Sequence, residues 1–99
     1  MSRERRSVVI YRRGPRWDAT KPLGGQKGVH DHIAFLTRLH GEGLLERGGP
    51  FHRLEDELDD DLVGLVVHRG TVEQARGRAL RDPAVRSGLL EFDARDWHA

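Results

Sequence analysis

The chain has 99 residues, which is one small domain with a thin core of its own. It contains no cysteine, excluding a disulfide scaffold, a thiolate zinc site and a thiol nucleophile. Charged residues (33%) nearly match hydrophobic ones (36%), but apolar runs at 8–11, 33–39 and 62–67 argue against wholesale disorder. No run approaches the roughly 20 apolar residues of a bilayer span, so no membrane partner is expected. The start, Met-Ser-Arg-Glu-Arg-Arg, is unlike a secretory signal. The expectation is one cytoplasmic domain over residues 1–99, with 1–6 as a flexible arm.

The net charge of +1 hides an uneven distribution. Arg3, Arg5, Arg6, Arg12, Arg13 and Arg16 crowd the start, whereas residues 55–61 are acidic at six of seven positions. The basic start lacks the aromatics that stack on bases, and no recognition helix accompanies it, so no nucleic-acid partner is expected. The acidic run lacks the glycine spacing of a calcium loop and reads as a solvated loop.

Residues 7–12 are β-branched and aromatic and predict a strand with two apolar faces. Gly14 and Pro15 end it, and a long loop follows to residue 28. Loops of that length in small domains usually carry function or lack order. Within it, residues 24–28 resemble a phosphate loop only loosely, without the Walker spacing, and read better as a Gly-rich hinge or pocket lid.

Asp31 is the expected cap of the first helix. At about 100° per residue, His32 falls inside the stripe made by Phe35, Leu36 and Leu39, and His30 on the opposite side. Gly41 and Gly43 end this helix. A short strand or hairpin runs from Leu44 to Phe51. The strongest predicted strand covers 62–68 and is again apolar on both faces. Thr71 and Gln74 form a capping box for a second helix, expected to turn Val72, Ala75, Ala79 and Leu80 inward. Pro83 stops it. Residues 84–88 read as a tight or helical turn, and 90–95 alternate as a half-buried strand.

The order strand, helix, strand, strand, helix, strand predicts an α+β, ferredoxin-like βαββαβ domain with an antiparallel sheet and both helices on one face. Two helices cover only one face, yet two strands are apolar on both. A second copy is the simplest cover, so a homodimer with facing sheets is expected.

Several features in fixed order make the chain similar to the YCII-related family of small dimeric α+β barrel proteins. They are Gly14-Pro15 and Trp17 after the first strand, a helix opening at His32, then Glu42-Gly43-Leu44-Leu45 and Gly49-Pro50, and later Asp82-Pro83-Ala84-Val85 followed by Ser87-Gly88-Leu89. The resemblance runs from about Val8 to Trp97. It implies a dimeric α+β barrel and a site centred on a His–Asp pair, matched here to His32 and Asp82. His30 competes for the histidine position; the spacing to Glu42-Gly43 and the helical wheel favour His32.

Such a pair suits acid/base chemistry. A carboxylate that accepts one ring N–H fixes the imidazole tautomer and leaves the other nitrogen as a base near neutral pH. The implied activity is general acid/base catalysis of elimination, isomerisation or lyase type on a small organic molecule, without a cofactor and without a metal. Tyr11, Trp17, Arg13, Gly49 and Pro50 are the candidate substrate contacts, and Arg12, Arg13 or Arg16 is available for an acidic group. A histidine on an apolar helix face and an Asp before Pro also occur for purely structural reasons, and the alternative is a non-catalytic ligand-binding or structural dimer. His30 and His32 have a His-x-His spacing that suits metal ligation from a strand but diverges on a helix.

Overall fold

The computed structural model describes residues 5–51 and 61–98. Four strands form one antiparallel sheet: β1 (Arg6–Arg13), β2 (Leu45–Pro50), β3 (Leu62–Arg69) and β4 (Leu90–Trp97), in the order β2-β3-β1-β4. Helices α1 (Val29–Gly41), α2 (Val72–Ala79) and α3 (Pro83–Arg86) complete the domain, with a 3-10 turn at Leu23–Gly25. This is the ferredoxin-like arrangement expected from the sequence. None of the described helices is long and apolar enough to cross a membrane.

The strands form where β-branched residues alternate across the pleat. On β1, Ser7, Val9 and Tyr11 are buried beneath the helices, and they pair with His68, Val66 and Gly64 of β3. A bulge in this pairing falls between Tyr11 and Arg12. The intervening Val8 and Ile10 pair with Val67 and Leu65 and face away from the helices. That second face therefore carries an apolar strip, as the run of β-branched residues predicts.

The inner core joins Val9, Tyr11, Phe35, Leu39, Leu45, Val66, Ala75, Ala79 and Leu90. Small residues on α2 let it approach closely: Ala75 and Ala79 are buried against β1 and β4. α2 starts at the capping box expected, with Thr71 Oγ1 accepting from Gln74 N at 3.2 Å and Gln74 Oε1 from Thr71 N at 2.9 Å. Leu80, expected inside, is 56% exposed. It follows Ala79 by about 100° around the axis, which turns it out of the narrow buried stripe.

α1 also departs from its expected start. Gly28, not Asp31, is the N-cap, at φ +93°, a conformation that favours glycine. Asp31 lies in the first helical turn, where its charge complements the helix N-terminus. The turn expected after Pro83 is α3, capped by Asp82. Of the arm expected over residues 1–6, Arg6 belongs to β1 and the Arg5 carbonyl accepts from Gly70 N at 2.8 Å; residues 1–4 lie outside the described residues. So does most of the acidic loop, except Asp61, whose carbonyl accepts from Arg13 N at 2.7 Å.

His68 is fully buried. It sits on the inner face of β3, opposite Ser7 and 3.4 Å from the Arg78 guanidinium through Nδ1. Burial and then the Arg78 charge push its pKa down to about 4, so it is a neutral structural residue. Arg78 continues past it to the carbonyl of Arg69, at 2.8 Å, tying α2 to the end of β3.

Candidate active site

α2 lies over β1 and β4, while α1 packs on α3 and beside β2. The unfilled space between α1 and the β2–β3 half of the sheet is a cavity of ≈ 330 Å³. Its helical wall is His32, Ile33 and Leu36, and Tyr11, Gly64 and Val66 belong to its sheet side. The floor stays flat because Gly48 and Gly64 have no side chains. A Cβ at Gly64 would stand 2.7 Å from the Gly49 carbonyl oxygen, so close pairing of β2 and β3 requires glycine there.

His32 and Asp82 meet behind this cavity. Nδ1 of His32 lies 2.6 Å from Oδ2 of Asp82, and their side chains are 12% and 0% exposed. Two devices aim the carboxylate. Pro83 forces Asp82 into an extended conformation, and its Oδ1 accepts from Ala84 N at 2.9 Å as the cap of α3. The Tyr11 hydroxyl, fully inside the core, donates to Oδ2 at 3.3 Å. Burial, followed by the charge and hydrogen bond of Asp82, raises the Tyr11 pKa far above its ordinary value. Tyr11 is thus a fixed donor rather than an acid, and its ring meets the His32 ring edge-on at 5.1 Å between centroids.

When the carboxylate is the acceptor of this contact, Nδ1 carries the hydrogen, and in the neutral imidazole Nε2 then carries the lone pair. Nε2 has no hydrogen-bond partner among the described residues, and the imidazole borders the cavity. The geometry suits an oriented base at the edge of an apolar chamber. His30, the competing histidine, is exposed on the other side of α1. Among the described residues, no three His, Asp or Glu side chains converge as metal ligands.

The sequence-predicted contacts divide into two groups. Tyr11, Gly49 and Pro50 line the cavity with His32. Arg13 and Trp17 instead line a second cavity of ≈ 220 Å³; Leu23, Pro50 and Val63 border both. Of the three arginines available for an acidic group, Arg12 is engaged with Asp61 at 3.2 Å and Asp93 at 3.3 Å, and Arg16 is exposed. Arg13 is the one at a cavity wall.

Sequence reasoning missed Gln26. Its side chain is buried and holds the 14–28 loop closed on itself, donating to the carbonyls of Asp18 (2.7 Å) and Lys21 (2.8 Å) and accepting from Asp18 N at 2.9 Å. That closure sets Leu23 and Gly24 against the first cavity and Trp17 and Lys21 against the second. The only signal was a lone amide inside a Gly-rich stretch, read as a hinge or lid. In the structure this stretch closes around Gln26 and borders both cavities.

No family model and no curated protein matches the sequence. Among solved structures, the fold is similar to that of 5-chloro-2-hydroxyhydroquinone dehydrochlorinase from Burkholderia phenoliruptrix, determined in complex with 2,5-dihydroxybenzoquinone. The similarity covers 93% of each chain at 18% identity, with a TM-score of 0.58. At that identity the likeness is one of fold.

Proposed function

We propose that this chain is a YCII-like, cofactor-independent acid/base enzyme of lyase or isomerase type, with His32 as general base and Asp82 as the residue that orients it. The observation that carries this reading is the 2.6 Å contact between Nδ1 and a fully buried carboxylate, on a histidine that borders an apolar cavity. In the proposed reaction Nε2 takes a proton from a carbon made acidic by a neighbouring carbonyl. The electron pair left behind either expels a leaving group from the adjacent carbon, or is reprotonated at a different carbon by the same imidazolium. The dehydrochlorinase that shares the fold lends coarse support, because loss of HCl is an elimination of this class.

Solvent exchange tests the reading without knowledge of the natural substrate. Small lactones, cyclic ketones and hydroxylated quinones are incubated in D2O with the protein and followed by proton NMR. For any compound that binds, the wild type is expected to exchange its acidic carbon-bound proton about 10²–10⁴-fold faster than His32→Ala. Equal exchange by the two overturns the assignment, and saturable binding without exchange makes the chain a ligand-binding module.

We also propose a homodimer that covers the outer sheet face. Val8, Ile10 and Leu65, half-buried in the single chain, form its apolar centre, and Arg12, Arg47 and Arg95 lie on the same face by register. Light scattering at tens of micromolar is expected to return twice the 11.3 kDa chain mass, and a monomer mass contradicts this.

A further inference from the structure

Thr37 borders two neighbouring cavities on α1. One is the cavity of His32; the other, of ≈ 370 Å³, continues along the helix toward His40 and Leu45. Leu36, Thr37, Gly48 and Val66 belong to both walls, so the two spaces meet at Thr37. Helical spacing puts it there. Thr37 follows Ile33, also on the wall of the His32 cavity, by four positions and stands one turn further along the same face.

The His32 cavity is poor in polar side chains. Among the described residues its lining has three that carry a polar atom: Tyr11, His32 and Thr37. The Tyr11 hydroxyl is committed to Asp82. Nε2 of His32 is the acceptor in the proposed chemistry. Thr37 is the side chain left to donate. A threonine inside a helix commonly turns its hydroxyl back to the carbonyl four residues earlier. Here no such bond to Ile33, and no other hydrogen bond of Thr37 Oγ1, is present among the described residues.

A base that takes a proton from carbon needs such a donor. The electron pair released moves onto the neighbouring carbonyl, and a hydrogen bond to that oxygen stabilises the enolate more than the ketone. His32 and Thr37 are five positions apart on α1, a rise of about 7.5 Å. A carbonyl compound fits between them with one contact of about 3 Å to each.

We propose that Thr37 binds the carbonyl oxygen of the substrate, which is an uncharged cyclic ketone or lactone with that carbonyl directed along α1 to the junction of the two cavities. This rests on His32 being the base. In the step, the C–H bond beside the carbonyl breaks and Nε2–H forms. The pair becomes the enolate C=C with the negative charge on oxygen, to which Thr37 donates while keeping its proton.

Two probes separate the two residues. 2-Tetralone has an acidic C–H beside its carbonyl, and 1,2-dihydronaphthalene has the same bicyclic body without the oxygen. Exchange of the ketone in D2O and binding of both compounds are measured for the wild type, Thr37→Val, Thr37→Ser and His32→Ala. Thr37→Val keeps the shape and removes the donor. It is expected to lower kcat/KM for exchange at least tenfold and to abolish the preference for ketone over hydrocarbon, with the pH dependence set by His32 unmoved. Thr37→Ser is expected to keep both properties, and His32→Ala to keep the preference while losing exchange. Thr37 is exposed, so its variants are expected to unfold at the wild-type temperature. Exchange lost in His32→Ala but unchanged in Thr37→Val overturns the carbonyl contact and leaves the base in place. Exchange and preference that fall in Thr37→Val but not in His32→Ala support the contact and overturn the base. Binding of neither probe overturns the use of this cavity, and the role of Thr37 with it.

Discussion

Asp82→Ala is expected to destabilise the domain by about 3–5 kcal/mol, among the largest effects of any single substitution in the chain. The carboxylate is fully buried and satisfies three donors from three elements: His32 Nδ1 on α1, Tyr11 Oη on β1 and Ala84 N on α3. Truncation leaves all three facing a cavity without an acceptor. A buried donor without a partner costs about 1–3 kcal/mol, and loss of a helix cap about 1 kcal/mol. These terms overlap, because Tyr11 and His32 share one oxygen, so the total lies below their sum. Asp82→Asn is the informative partner. It keeps the cap through its carbonyl oxygen but lacks the charge and brings an NH2 group. Its expected cost is about half that of Asp82→Ala. Urea denaturation at neutral pH measures both. A loss under about 1 kcal/mol for Asp82→Ala would mean that the carboxylate is not what joins α1, α3 and β1.

Gly14→Ala is expected to cost about 3 kcal/mol, for a different reason. A Cβ at Gly14 would stand 2.2 Å from the Gly88 carbonyl oxygen and 3.0 Å from the carbonyl carbons of Gly88 and Leu89. All three are backbone atoms and cannot rotate aside. The approach is fixed by two hydrogen bonds, Gly14 N to Leu89 O and Arg16 N to Gly88 O, each at 2.9 Å. Relief requires the end of β1 to separate from the turn leading into β4, and overpacking of that kind typically costs 1–3 kcal/mol or somewhat more. Gly24→Ala is the control, because nothing lies within 4 Å of its added Cβ. Thermal denaturation of the pair is expected to show a lower Tm for Gly14→Ala and little change for Gly24→Ala. Equal Tm values would contradict the close approach.

The architecture was legible because β1, β3 and β4 announce themselves locally, whereas β2 reads only as a short strand or hairpin. Val8 to Tyr11 and Leu62 to Val67 are β-branched or apolar runs with turn residues on both sides, and Thr71 with Gln74 marks the start of α2 on its own. The order of elements then leaves few topologies. Errors fell where a local signal had a plausible competitor. Asp31 is a good capping residue, but the left-handed turn available to Gly28 starts α1 three residues earlier. Leu80 is apolar and close to the stripe, yet one residue past Ala79 is already the wrong face of a helix this short.

The candidate site was legible only in part. Asp82 is signalled by Pro83, which pulls the preceding residue out of helical geometry, and His32 by its position within an apolar stripe. Their separation of fifty positions carries no local signal, and pairing them depended on the family resemblance. The flat floor was harder still. Gly48 and Gly64 read as ordinary turn or strand glycines, and their purpose is visible only when β2 and β3 are side by side. Gln26 was hidden for the same reason, since its partners are backbone groups of Asp18 and Lys21 that any sequence has.

The proton on His32 is the most direct test. If the buried Asp82 is an ionised acceptor, the neutral imidazole has its hydrogen on Nδ1 and a bare Nε2 at the cavity. Long-range proton–nitrogen correlation NMR on the ¹⁵N-labelled protein at about pH 8, where an ordinary imidazole is neutral, distinguishes the two tautomers. The His32 signal is identified by its absence in His32→Gln. The expected result is the Nδ1–H tautomer in the wild type and a shift toward Nε2–H in Asp82→Asn. An Nε2–H tautomer in the wild type would place the hydrogen of the pair on Asp82, leave no base facing the cavity and contradict the proposed chemistry.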